Sequence, residues 1–157
     1  MNFQAAVYPT LTGDGARRLR DGDWRVAVVG AGGWIGLAAL EQLHGLLGDA
    51  FHERVVAFGS NERRLSLRGG RVVDQRPLGR LSELPPAPTL VLHLAFLTQE
   101  KAGMMPYDTY VEINRTISSQ VLLALDRIGA HGVFVASSGA IEMIGRVGAD
   151  QIGRAHV

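Results

Sequence analysis

The chain contains no cysteine, which excludes disulfides, thiolate nucleophiles and cysteine-based zinc sites. Lysine is nearly absent as well. Of the 16 basic residues only Lys101 is a lysine, so any mechanism that needs a lysine has one candidate. Codon usage in a GC-rich genome accounts for this bias towards arginine without a functional cause. An excess of one charge sign is also lacking: a net charge of +1 leaves no electrostatic footprint for nucleic acid or an anionic membrane. No apolar run reaches the length of a membrane span. Asp14, Arg17 and Arg18 stand where a signal peptide needs an apolar stretch. The expectation is a soluble, cytoplasmic protein of one domain, with no nucleic-acid or membrane partner.

What is present is a regular alternation. Residues 1–23 hold Pro9, Gly13, Gly15 and Gly22 and read as a loosely attached, turn-rich lead-in. From Trp24 the texture changes. Arg25-Val26-Ala27-Val28-Val29 is a short β-branched run of the kind buried on both faces of a parallel sheet. Residues 34–47 have helical spacing, with Ile35, Ala38, Ala39, Leu43 and Leu46 on one side and Gly48 as the stop. Val55–Phe58 is a second strand and Arg71–Val73 a weaker third. Leu84-Pro85-Pro86-Ala87-Pro88 is a surface connection, because proline suits neither helix interior nor central strand. Thr89–Ala95 is a fourth strand, residues 107–128 a helix with the stripe Ile113, Ile117, Val121, Leu125 and Ile128, and Val133–Ala136 a fifth strand. Strands alternating with helices predict an α/β, Rossmann-type doubly wound parallel sheet of about five strands.

The chemistry-bearing feature is the turn Gly30-Ala31-Gly32-Gly33-Trp34-Ile35-Gly36, which follows the first strand directly and opens the first predicted helix. Gly30 permits the tight exit from the strand, Gly33 lets a pyrophosphate approach the backbone, and Gly36 lets the helix pack closely on the sheet. The helix N-terminus then offers free N–H donors and a positive dipole end to the phosphates. The bland alternative is a tight strand-to-helix turn with no ligand. A Walker A loop is excluded, since no Gly-Lys-Ser or Gly-Lys-Thr occurs. A methyltransferase, which also opens on a glycine-rich turn, would want an acidic residue at the end of the second strand.

Val26–Gly36 resembles the opening Gly-x-x-Gly-x-x-Gly turn of the extended short-chain dehydrogenases/reductases, the NAD(P)-dependent epimerase/dehydratase group. Leu90–Ala95 resembles that group's fourth strand, Tyr110–Asn114 with Val121–Ala124 its long interface helix, and Val133–Ala140 its catalytic-serine strand. The resemblance runs in order from about Arg25 to Ile141. It implies cofactor contacts at Gly30, Gly33, Trp34, Ile35 and Gly36, at Leu94, Ala95 and Phe96 after the fourth strand, and at Asn114. It implies Ser138 as the catalytic serine, with Ser137 its neighbour, and a homodimer through the helix at 107–128. Asp74 resembles the residue near the adenine amine, with a surface aspartate as the alternative.

For the cofactor, NAD sites place an Asp or Glu after the second strand to accept from the ribose 2′-OH. Here Gly59 or Ser60 holds that position, and Arg63 and Arg64 beyond it suit a 2′-phosphate by charge and bidentate geometry. NADP is therefore expected, with NAD as the alternative through Glu62.

The family's serine works with a Tyr-x-x-x-Lys pair, in which the tyrosine moves a proton while hydride moves to or from the nicotinamide. That pair is missing: tyrosines occur only at Tyr8, Tyr107 and Tyr110, and Leu97 stands four residues before Lys101. Glu142 and Met143 also replace the Tyr-Gly common downstream of the serine. The final seven residues, Gln151–Val157, coincide with in-frame translation of a common sequencing-adapter oligonucleotide. The reading that follows is a truncated frame. A Rossmann domain spans 24–150 and a non-native tail 151–157, while the later strands and substrate domain are missing and one sheet edge is exposed. The expected parent is an NAD(P)-dependent epimerase/dehydratase or reductase acting on a hydroxyl/carbonyl small molecule, such as a sugar nucleotide. The competing reading is a non-catalytic NADP-binding or sensing module.

The remaining features are weaker. The five histidines lack metal-ligand spacing, and no metal site is expected. His93 reads as a hydrogen-bonded core histidine. Ser137-Ser138-Gly139 lacks the preceding glycine of a nucleophile elbow. Trp34 either covers the pyrophosphate or packs against the lead-in, and the 99–106 loop, with Met104 and Met105, borders the substrate or only solvent.

Overall fold

The computed structural model describes residues 11–136. Helix α1 (Gly13–Asp21) leads into strand β1 (Arg25–Val29), followed by α2 (Trp34–Leu47), the single turn α3 (Phe51–Arg54) and β2 (Val55–Gly59). A hairpin of β3 (Arg63–Ser66) and β4 (Val72–Pro77) comes next, then a 3-10 turn at Leu78–Glu83 and β5 (Thr89–His93). The short α4 (Gln99–Ala102), the long α5 (Tyr107–Leu125) and β6 (Ala130–Val135) complete the order. The sheet runs β3-β4-β2-β1-β5-β6, parallel throughout except for the antiparallel β3–β4 pair. The protein is an α/β fold of Rossmann-like type.

The alternation of β1 divides the core in two. Val26 and Val28 face α2, packing with Leu40, Leu43, Leu47 and Phe51, while Ala27 and Val29 face α5, packing with Val121, Ala124 and Ile128. Helices therefore cover both faces, and the chain changes face between β1 and β5. Such a reversal opens a crevice at the carboxyl ends of the two strands.

Several expectations need correction. The sheet has six strands rather than five. The additional one, β3, carries Arg63 and Arg64, which read as loop because charged side chains suit an edge strand as well as a turn. The lead-in is not all turn: α1 occupies Gly13–Asp21 although it buries no residue. Leu19 packs against the α2-side core, and the Arg54 guanidinium donates to the carbonyls of Leu19, Arg20 and Trp24.

Helix α2 has its expected bounds but a different buried face, made of Gly36, Leu40, Leu43 and Leu47. Its sequence is apolar nearly all round, so periodicity does not select a face; the approach of Gly36 to the β1 turn does. Along α5, Val121 and Ala124 are buried, whereas Leu122 and Leu123 are exposed. The edge strand β6 leaves Val133, Phe134 and Val135 exposed. Among the described residues no helix is long and apolar enough to cross a membrane.

Candidate functional site

The site is assembled where β1, β2 and β5 end. Gly30 leaves β1 with φ +88°, a conformation that suits glycine, and the amides of Gly30 and Ala31 both donate to the Phe58 carbonyl at 2.9 and 3.0 Å. A Cβ on Gly30 would lie 2.7 Å from the Ala95 amide nitrogen, so the turns after β1 and β5 touch backbone to backbone. The Leu94 amide donates to the Val29 carbonyl at 2.8 Å and holds that contact. Gly36 is equally constrained, because an added Cβ would overlap the Gly30 carbonyl and stand 2.7 Å from Ala31 Cα.

Gly33 differs. It caps α2 in extended conformation (φ −77°, ψ 165°), is exposed, and an added Cβ would meet only the Gly30 carbonyl, at 3.4 Å. No side chain caps α2 and no acid sits in its first turn. The first amides of a helix have no intrahelical acceptor. Those of Trp34, Ile35 and Gly36 thus stand at the positive end of a 14-residue helix beside the open face of Gly33. Trp34 is 81% exposed and Ile35 43%, so the Trp34 ring is largely open to solvent.

Beyond Gly59, the last residue of β2, Ser60, Asn61 and Glu62 lead into β3. Strand alternation separates the two arginines. Arg63 lies over the glycine turn and donates from Nη2 to the Gly32 carbonyl at 3.2 Å. Arg64 points away and pairs with Asp74, Nε to Oδ1, at 3.4 Å, both side chains about four-fifths exposed. The paired arginines expected at a 2′-phosphate are therefore one arginine, and Asp74 is a solvent-facing ion-pair partner.

The residue beside Asp74 is the one that sequence reasoning missed. Gln75, 1% exposed, turns inward and fills the space left by Gly59. A Cβ on Gly59 would overlap its carboxamide, and one on Gly32 would overlap the Arg63 guanidinium and stand 2.8 Å from Gln75 Oε1. Nε2 donates to the Asn61 carbonyl at 2.8 Å, and among the described residues no group donates to Oε1. An amide two residues past Val73, and so on the same face of the strand, is the signal that the sequence offers.

On the β5 side, Asn114 positions a loop. Its Oδ1 accepts from the Leu97 amide at 2.8 Å and its Nδ2 donates to the Tyr110 carbonyl at 3.2 Å, tying α5 to the Leu94–Leu97 segment. Phe96 stacks on His93 with centroids 4.6 Å apart. His93 is 2% exposed, with Nε2 3.4 Å from Ser118 Oγ and Nδ1 unpartnered; burial lowers its pKa below the ordinary value. The Ala136 amide donates to the His93 carbonyl at 2.9 Å, so β6 also exits at this edge. Ser137 and Ser138 lie outside the described residues, as do Tyr8 and the 151–157 segment. Lys101 lies on α4, and Tyr107 and Tyr110 in the first turn of α5. Among the described residues no group of three His, Asp or Glu could hold a metal ion.

No family model matches the chain, and no curated protein or solved structure matches it either.

Proposed function

We propose that this chain is a dinucleotide-binding domain that holds NADP, or NAD, across the crevice between the turns after β1 and β5. The observation that carries the reading is the Gly30–Gly36 turn. It is packed backbone to backbone against the Leu94–Ala95 segment while Gly33 and the uncapped start of α2 stay open. Free amides at a positive helix end suit a pyrophosphate, and an exposed Gly33 lets it approach the chain. Arg63 supplies the cation for a 2′-phosphate. Leu94, Ala95 and Phe96 line the nicotinamide side. In this reading the bound cofactor supplies hydride chemistry, and the chain's own residues bind and orient it.

The resemblance extends the proposal to the cofactor-binding half of an extended short-chain dehydrogenase/reductase acting on a hydroxyl or carbonyl substrate, with Ser138 polarising the reacting oxygen. The alternative reading is a non-catalytic NADP-binding or sensing module. Both readings require binding. Titration of NADPH and NADH against the full chain, followed by quenching of the exposed Trp34, should saturate. Failure of both dinucleotides to bind refutes the proposal, and NADPH oxidation by the chain alone refutes the module reading.

A further inference from the structure

We infer that Gln75 is the hydrogen-bond acceptor for a ribose hydroxyl on the adenosine side of the dinucleotide, and so a specificity-determining residue. The inference rests on the cofactor reading above. A site of this type ordinarily places a carboxylate after its second strand, where it accepts from the ribose. Here β2 ends in Gly59, and the space a side chain would take there is filled from the neighbouring strand by the Gln75 carboxamide. A carboxylate at position 59 and Gln75 could not coexist. One replaces the other.

The orientation of the carboxamide follows from its partners. Nε2 faces the Asn61 carbonyl at 2.8 Å, and flipping the amide would set two oxygens against each other. Oε1 is therefore held towards Gly32, within the glycine turn itself. It is a buried acceptor to which no group among the described residues donates. Buried polar atoms are nearly always paired, and an exception calls for a partner that the chain does not supply. A ribose hydroxyl becomes such a donor when the Arg63 side chain, which covers Gly32, swings outward to meet the cofactor. The acceptor is also neutral. A carboxylate there would repel a 2′-phosphate, whereas an amide tolerates one and Arg63, lying over the same turn, attracts it. The site is thus built to take the hydroxyl through Gln75 without excluding the phosphorylated form.

The test uses the full chain. ADP, 2′-deoxy-ADP and 3′-deoxy-ADP are titrated against the unaltered protein, and NADH and NADPH against it and against Gln75→Met and Gln75→Glu. Removing the donating hydroxyl should weaken binding about 3- to 15-fold, the range of one neutral hydrogen bond. Gln75→Met should weaken NADH by a similar factor. Gln75→Glu should lower affinity for NADPH relative to NADH by roughly 10-fold or more. Equal affinities for the three ADP forms overturn the inference even if the variants fail to fold. Dinucleotide binding indifferent to Gln75→Met overturns the role of Gln75 alone. A chain that binds none of the five probes overturns the cofactor reading as well.

Discussion

Gly33 and Gly36 belong to one turn, but the structure gives them different burdens, and replacing each by alanine separates fold from binding. At Gly36 a methyl group would overlap the Gly30 carbonyl and stand 2.7 Å from Ala31 Cα, where carbon atoms prefer about 3.5–4.0 Å. Both obstacles are backbone, so α2 must lift from the β1 turn. Overpacking of this kind costs about 1–3 kcal/mol, and contact with unyielding backbone belongs at the top of that range. The gain in helix propensity from Gly to Ala returns up to about 1 kcal/mol. The net loss for Gly36→Ala is roughly 2 kcal/mol, or about 4–8 °C in Tm for a chain of this size.

Gly33→Ala meets only one carbonyl, at ordinary contact distance and with an allowed backbone. Its stability loss is about 0.5–1 kcal/mol, since alanine caps a helix less well than glycine. Its methyl, however, projects where a pyrophosphate would approach. Urea melts followed by far-UV circular dichroism should show a lower midpoint for Gly36→Ala with an unchanged slope. Gly33→Ala should melt close to wild type yet bind NADPH at least about 10-fold more weakly. A Gly36→Ala protein as stable as wild type refutes the packing argument. Wild-type NADPH affinity in Gly33→Ala refutes backbone recognition of the phosphates.

Three other outcomes are expected. Burial lowers the His93 pKa in the folded chain, so below about pH 6.5 the unfolded chain takes up a proton that the folded one resists. Stability should fall as pH drops from about 6.5 towards 5 and be fully present above, and His93→Gln should flatten that slope; an unchanged slope refutes the assignment. Arg54→Ala removes donations to three carbonyls around α1 and should cost about 1–2 kcal/mol locally. Hydrogen exchange should then quicken in Gly13–Asp21 but not in β1, and equal protection of α1 in the two proteins refutes the tether. If α5 is the surface for a second copy, Leu122→Glu with Leu123→Glu, at side chains 61% and 82% exposed, should shift a light-scattering dimer to monomer. A dimer that survives the pair places the interface elsewhere.

Much of the architecture was legible without coordinates because it is written in local patterns. Val26–Val29 is a continuous apolar run, as a strand buried on both faces must be, and Leu90–Leu92 is a shorter one. The helix at 34–47 lies between Gly33 and Gly48, the helix expected at 107–128 starts after Pro106 and ends at Leu125, and the glycine turn lies directly between strand and helix. Less legible were the segments whose state depends on neighbours. Helix α1 is held by a side chain 34 residues away, and β3 is a strand because β4 pairs with it.

The sequence by itself therefore determined the alternation of the main strands and helices, the sheet class and the place of the turn, since each rests on spacing within a few residues. Only the tertiary structure decided which side chains meet there. It set Arg63 over Gly32, turned Arg64 to Asp74, and brought Gln75 into the space above Gly59. The reason is physical. A strand's alternation assigns neighbours to opposite faces, but which face looks onto the site is fixed by pairing between strands distant in sequence.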